Sequence, residues 1–307
     1  MEHPICISLR TLQPCDPPAA SVLCLGNFDG VHKAHQALFQ KALALRDEKA
    51  PGAACSVFCF SLPSSLYLSM PPVPQLCDTE EKLRLFASYG MEYAFLADFP
   101  KVQPLSPAEF VQSILLFACH CVGAVCGFNY RFGACGAGTA QTLKDLLPFP
   151  VEVQSEVLEK GETVSSTRIR ALLQNGEVEA AAELLSRPYF FTAPVIHGKG
   201  LGRNLGAPTI NQQIPQNRLI PRHGVYLTDC KIGDLHYKAV SNVGLRPTVE
   251  NSTRVNCESF LLDFTGDLYE KTVTVSFLKW IRPEIRFSSQ EELQAQIQRD
   301  IQTAQEI

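Results

Sequence analysis

At 307 residues, 46% of them hydrophobic, the chain is long enough for two domains with substantial cores. Its formal net charge of -4 gives no global basic field for nucleic acid, although a local basic pocket for a nucleotide is compatible with it. Residues 1–6 lack a charged region leading into an apolar run and no apolar stretch approaches bilayer length, so a cytoplasmic protein with no membrane partner is expected.

Twelve cysteines are spread through a chain of ordinary core content, which reads as free thiols. The densest group, Cys119, His120, Cys121 and Cys126, has no CxxC pair to start a tetrahedral metal site. Between residues 20 and 160 short apolar runs alternate with amphipathic segments, the pattern of a parallel sheet covered on both faces. The expected strands are 22–25, 56–60, 93–97, 122–126 and 151–157. The first runs into Gly26-Asn27-Phe28-Asp29-Gly30-Val31-His32-Lys33-Ala34-His35, where glycines free the backbone and a helix begins near His35. Free N–H groups and the positive dipole end at a helix start attract phosphate, and two imidazoles there can steady charge that builds during transfer. Asp78-Thr79-Glu80-Glu81 and Ser106-Pro107-Ala108-Glu109 read as capping boxes, the second opening a helix through Phe110, Val111, Ile114 and Leu115. The Pro-rich piece at 70–74 reads as a loop or flap.

Gly127-Phe128-Asn129-Tyr130-Arg131-Phe132-Gly133 follows the fourth strand, at a carboxyl edge where α/β sheets bind ligands. Asn129 there is a phosphate or ribose candidate, or a simple turn asparagine. In Val164-Ser165-Ser166-Thr167-Arg168-Ile169-Arg170 the hydroxyls of Ser166 and Thr167 and the Arg170 guanidinium suit a pyrophosphate, or form a plain N-cap with a solvated arginine.

The GNFDGVH and VSSTRIR segments together resemble the nucleotidyltransferase superfamily, and within it the adenylyltransferase half of bacterial bifunctional riboflavin kinase/FAD synthetases. The resemblance implies a doubly wound, Rossmann-like domain over residues 1–186 that transfers AMP from ATP to FMN and releases pyrophosphate. It places His32 and His35 at the reacting phosphates and Gly26, Phe28, Asp29, Asn129, Ser166, Thr167 and Arg170 around the nucleotide. Asp29 reads as orienting a histidine, helping a magnesium ion or making a local turn. Three departures stand out. Ala34 replaces the glycine usual between the histidines, residues 58–63 lack a family histidine, and the arginine usual after GFNYRFG is missing near Gly136 and Gly138.

Arg187-Pro188 reads as the domain boundary. Beyond it, strand-like runs at 190–197, 225–230, 237–243, 255–262 and 273–278 follow one another without helices, as in an antiparallel barrel. Ser289 to Glu292 opens a closing helix whose Leu293, Ile297 and Ile301 form one stripe. Gly198-Lys199-Gly200-Leu201-Gly202-Arg203-Asn204-Leu205-Gly206-Ala207-Pro208-Thr209-Ile210-Asn211 closely resembles the riboflavin kinase signature. Its glycines let N–H groups turn toward phosphate while Lys199 and Arg203 supply charge. Thr209 and Asn211 present oxygens on one side of an extended segment, as expected of Mg²⁺ ligands. Glu258 stands where that family keeps a catalytic glutamate, sharing a strand face with Phe260, although Glu258 turned to solvent with Cys257 and Leu261 inward is the plainer reading. Asn242 to Thr248, Leu268 to Lys271 and Ile281-Arg282-Pro283-Glu284 match further family segments, with Arg246 and Arg282 touching phosphate or bracing loops.

The resemblance therefore implies a bifunctional enzyme over 1–186 and 187–307, using ATP and Mg²⁺ to make FMN and FAD, as a monomer or weak homo-oligomer without nucleic acid. Two other readings stand beside it: a riboflavin kinase whose N-terminal domain binds without adenylylating, and a flavin-binding protein with both sites silent.

Overall fold

The computed structural model describes residues 5–9, 18–62, 65–68, 71–197, 209–245 and 255–307. By packing, the chain divides into Met1–Ser166 and Thr167–Ile307.

The first unit is built on a parallel sheet of β1 (Ile5–Leu9), β2 (Ser21–Leu25), β3 (Ala54–Phe60), β4 (Tyr93–Ala97), β5 (Cys121–Gly127) and β8 (Val151–Gln154), with one short strand pair before β8 in the chain and another after it. The short pairs are β6 (Arg131–Phe132) with β7 (Gly138–Thr139), and β9 (Leu158–Glu159) with β10 (Glu162–Thr163). The spatial order is β1-β4-β3-β2-β5-β8. Alternation explains why these strands read as continuous apolar runs: Leu23, Leu25 and Phe58 pack on one face with Phe110 and Ile114, whereas Val22, Cys24, Cys55 and Val57 pack on the other with Leu38, Phe39 and Ala42. The strand at 5–9 was not among those expected. The helix expected after Ser106 is present with its capping box, but from Phe110 to Ala118 it is a π-helix, ending with the Cys119 N–H on the Ile114 carbonyl.

The second unit is a closed antiparallel barrel, ordered β11 (Tyr189–Ile196), β12 (Ile210–Gln213), β15 (Val255–Leu261), β14 (Leu235–Leu245), β13 (Gly224–Ile232) and β16 (Thr272–Arg282). The short β12 was read only as an extended segment and proves to be a barrel stave. The inner wall carries polar groups: Thr228, Ser241 and Ser259 form a buried hydroxyl chain with spacings of 2.6 and 2.7 Å. Burial beside them pushes the Cys257 thiol up to about 12. The closing helix is Gln290–Glu306, capped by Ser289. Ile301, from the expected stripe of Leu293, Ile297 and Ile301, packs with Ala304 against Leu227 and Leu262 of the barrel unit. The helix Val178–Leu185 packs on β11 and β16, which moves the division by packing to 166/167, ahead of the boundary expected at 187.

Candidate active sites

In the first unit a strand-turn-helix places the histidines. β2 ends at Leu25 and the helix Lys33–Lys49 begins with His32 at its N-cap. Between them Phe28 and Val31 adopt positive φ angles of 51° and 44° beside Gly30 at 83°. A left-handed valine is strained, and such strain persists only where surrounding contacts impose it. Here those contacts are the Asp29 carboxylate, which accepts from the N–H groups of Leu76 (2.9 Å) and Cys77 (3.3 Å), and the Gly30 N–H, which donates to Cys77 Sγ at 3.0 Å. The Ser166 hydroxyl donates to the Asp29 carbonyl at 2.8 Å. Held this way, the His32 and His35 rings stack with centroids 3.7 Å apart.

Both rings line a cavity of about 590 Å³, together with Gly26, Ala34, Asn129 and Ser165. Its other wall is aromatic: Phe58 and Phe60 from one face of β3, Phe110 from the π-helix, and Phe99 and Phe132. Glu156 and Thr163, hydrogen-bonded to one another around the β9–β10 hairpin, close a further side. Lys33 ties that hairpin to the helix start through a 2.6 Å ion pair with Glu159. An apolar wall facing paired imidazoles suits a ligand with a flat ring at one end and phosphate at the other.

The expected residues divide here. His32, His35, Gly26 and Asn129 meet at the cavity. Phe28 and Asp29, expected among the nucleotide contacts, are tied into the turn: the Phe28 ring is fully buried against His35, Phe39 and Phe86, and the Asp29 carboxylate braces residues 76 and 77. Ser166 opens the helix Ser166–Asn175, with Thr167 exposed and Arg170 half-buried one turn on.

In the second unit strand register assembles the candidates. Asn211 on β12 faces Glu258 on β15, which faces Asn242 on β14. Directly opposed residues share a face about 5 Å apart, so these three form a row across the outer barrel wall. Glu258 is half-buried there while Cys257 and Leu261 point inward. The two sequence readings of this strand thus describe one arrangement. Asn211 is 4% exposed, and its Oδ1 meets no hydrogen-bond partner among the described residues. A buried amide oxygen without a donor is costly unless a cation or donor completes it, which is the environment a hard Mg²⁺ ion would satisfy. Thr209 lies two residues away along the same extended segment. Gly198, Lys199, Gly200, Gly202 and Arg203, together with Arg246, lie outside the described residues. Arg282 braces: its guanidinium pairs in a fork with buried Asp300 at 2.6 to 3.1 Å.

A sequence model described as FAD synthetase matches residues 16–168, and one described as riboflavin kinase matches residues 185–307. The bifunctional riboflavin kinase/FMN adenylyltransferase of Bacillus subtilis (strain 168) is 33% identical over 293 residues, covering 93% of this chain and 92% of that protein. Its namesake in Escherichia coli (strain K12) is 34% identical over 298 residues, covering 94% and 93%.

The chain belongs to the bifunctional riboflavin kinase/FMN adenylyltransferase family.

Among solved structures, one titled macrolide-efflux protein from Streptococcus pneumoniae has a TM-score of 0.90 at 30% identity, over 98% of this chain and 99% of that one. Its title names transport, whereas no helix among the described residues here is long and apolar enough to cross a membrane. Within the family frame, the departure at Ala34 falls on the cavity wall itself, where one methyl replaces bare backbone. Sequence reading missed the aromatic wall, the Lys33–Glu159 pair and the Cys77 contact. Their residues are far apart in the chain and belong to no local motif; the alternation of Phe58 and Phe60 was the one available signal.

Proposed function

We propose that the chain performs two successive flavin conversions, phosphorylation of riboflavin by ATP in the barrel and adenylylation of FMN by ATP in the parallel-sheet domain. What supports this most directly is that the central residues of each motif set meet within one unit, His32 with His35 in the first and Asn211 with Glu258 in the second.

In the first site the aromatic wall holds the flavin ring, and His32 and His35 donate to the phosphate that AMP transfer charges. No covalent intermediate is required. Ser166, Thr167, Arg170 and Asn129 hold the remaining phosphate and ribose groups. In the second site Glu258 accepts the proton of the riboflavin hydroxyl as it attacks the terminal phosphate of ATP, breaking the bond to the β-phosphate and releasing ADP. Thr209 and Asn211 are the residues that would hold Mg²⁺, which when bound neutralises phosphate charge. Gly198, Lys199, Gly200, Gly202 and Arg203 supply backbone donors and charge to the same nucleotide. We place the enzyme in the cytoplasm, as a monomer or weak homo-oligomer, with its division of labour near residue 187.

Purified protein supplied with riboflavin, ATP and Mg²⁺ tests the reading. FAD with pyrophosphate is expected. FMN as sole product would leave a kinase with a binding domain, and unchanged riboflavin would mean that both sites are silent.

A further inference from the structure

The segment after β16 brings a second carboxylate to the kinase wall. Glu284 lies over Gly244 of β14 so closely that a Cβ on that glycine would stand 2.7 Å from the Glu284 carboxyl carbon and nearer still to Oε1. Gly244 is therefore a seat that no other residue leaves open. Asn242, two residues back on the same face, donates from Nδ2 to Glu284 Oε1 at 3.5 Å, and His223 Nδ1 stands 4.0 Å from Oε2. Asn242 is the register partner of Glu258. The Glu284 carboxylate thus extends the row Asn211, Glu258, Asn242 by one more polar group, within roughly two strand spacings, or about 10 Å, of Glu258.

It is also held from behind. Arg282, two residues earlier, is fixed by its fork onto Asp300 of the closing helix, and Gln296 donates to the same carboxylate at 2.8 Å. Pro283 stiffens the step between Arg282 and Glu284. Glu284 is exposed, and its place on the wall is set by its seat over Gly244 and by the buried fork that fixes Arg282 two residues before it.

We propose that Glu284 binds the polyol chain of the flavin substrate, accepting hydrogen bonds from hydroxyls next to the one that is phosphorylated. The proposal rests on Glu258 being the kinase base. A polyol offers several O–H donors in a line, and two carboxylates along one wall match that: one removes a proton while the other only accepts hydrogen bonds. A purely structural role, with Glu284 merely holding Asn242 and His223, would leave substrate affinity untouched.

Two variants reach the carboxylate from opposite sides. Glu284→Gln removes its charge, and Gly244→Ala displaces it, at small structural cost because the crowded atoms are the end of a flexible side chain. Both should raise the KM for riboflavin at least tenfold, with kcat within threefold, the KM for ATP unchanged and FMN adenylylation unaffected. Direct binding of a flavin ring without the polyol, such as lumiflavin, should be the same in Glu284→Gln as in the parent protein. An unchanged riboflavin KM in Glu284→Gln, or an equal loss of lumiflavin binding, would overturn the proposal. Glu258→Gln should lose kcat and keep riboflavin binding; full kinase activity in that variant would defeat the base assignment, and is read separately from the Glu284 result.

Discussion

His32 and His35 stack at 3.7 Å on the wall of one cavity, so removing either ring removes a donor from the same place. His32→Ala should lower FAD formation from added FMN by on the order of a hundredfold to a thousandfold, the usual loss when one oxyanion donor goes. FMN formation from riboflavin should persist, and a coupled pyrophosphate assay beside a riboflavin kinase assay checks both. These histidines were legible as a pair because a strand-turn-helix is a local event written in adjacent residues. The contacts of Asp29 and Phe28 were not legible in the turn itself, since their partners Leu76, Cys77 and Phe86 lie far along the chain. Residue chemistry gives a second prediction. Burial pushes the Cys55 and Cys126 thiols up to about 11 and Cys121 up to about 12, away from the thiolate form, while Cys135 is the exposed cysteine among the described residues and lines the cavity. Iodoacetamide on native protein should modify Cys135 ahead of those buried thiols, and FMN with ATP should slow it; peptide mapping showing Cys55, Cys121 or Cys126 modified first would contradict the packing.

Between elements, a fork joins Arg282 on β16 to Asp300 on the closing helix, with Asp300 4% exposed. Taking away one partner of a buried pair strands the other charge, so Asp300→Ala should destabilise the barrel by roughly 3–5 kcal/mol, read from the denaturation midpoint. By contrast the Lys33–Glu159 pair, about a third exposed on each side, should contribute less than about 1 kcal/mol, and its loss should be felt in the hairpin's position more than in stability. The strands were legible where alternation or continuous apolar character marked them. β12 was not called a strand because it has four residues, and the π-helix was not foreseen because nothing in the apolar spacing of Phe110, Val111, Ile114 and Leu115 separates an i+5 ladder from an i+4 one. The row of Asn211, Glu258 and Asn242 depended on register between strands distant in sequence, which no single run of residues specifies.

For the molecule as a whole, His32 with His35 and Asn211 with Glu258 belong to two separately packed units, and the product of one proposed reaction is the substrate of the other. If the shared compound is released into solution between steps, the two halves need not belong to the same molecule. Glu258→Gln should retain the adenylyltransferase and His32→Ala the kinase, so neither alone should convert riboflavin to FAD. Mixed in equal amounts they should, after a lag during which free FMN accumulates, and the lag should shorten as the His32→Ala protein is raised. Chromatography of the time course measures riboflavin, FMN and FAD together. Failure of the mixture, with each variant still active in its own half-reaction, would mean that FMN does not pass through solution and that the two sites depend on their covalent connection.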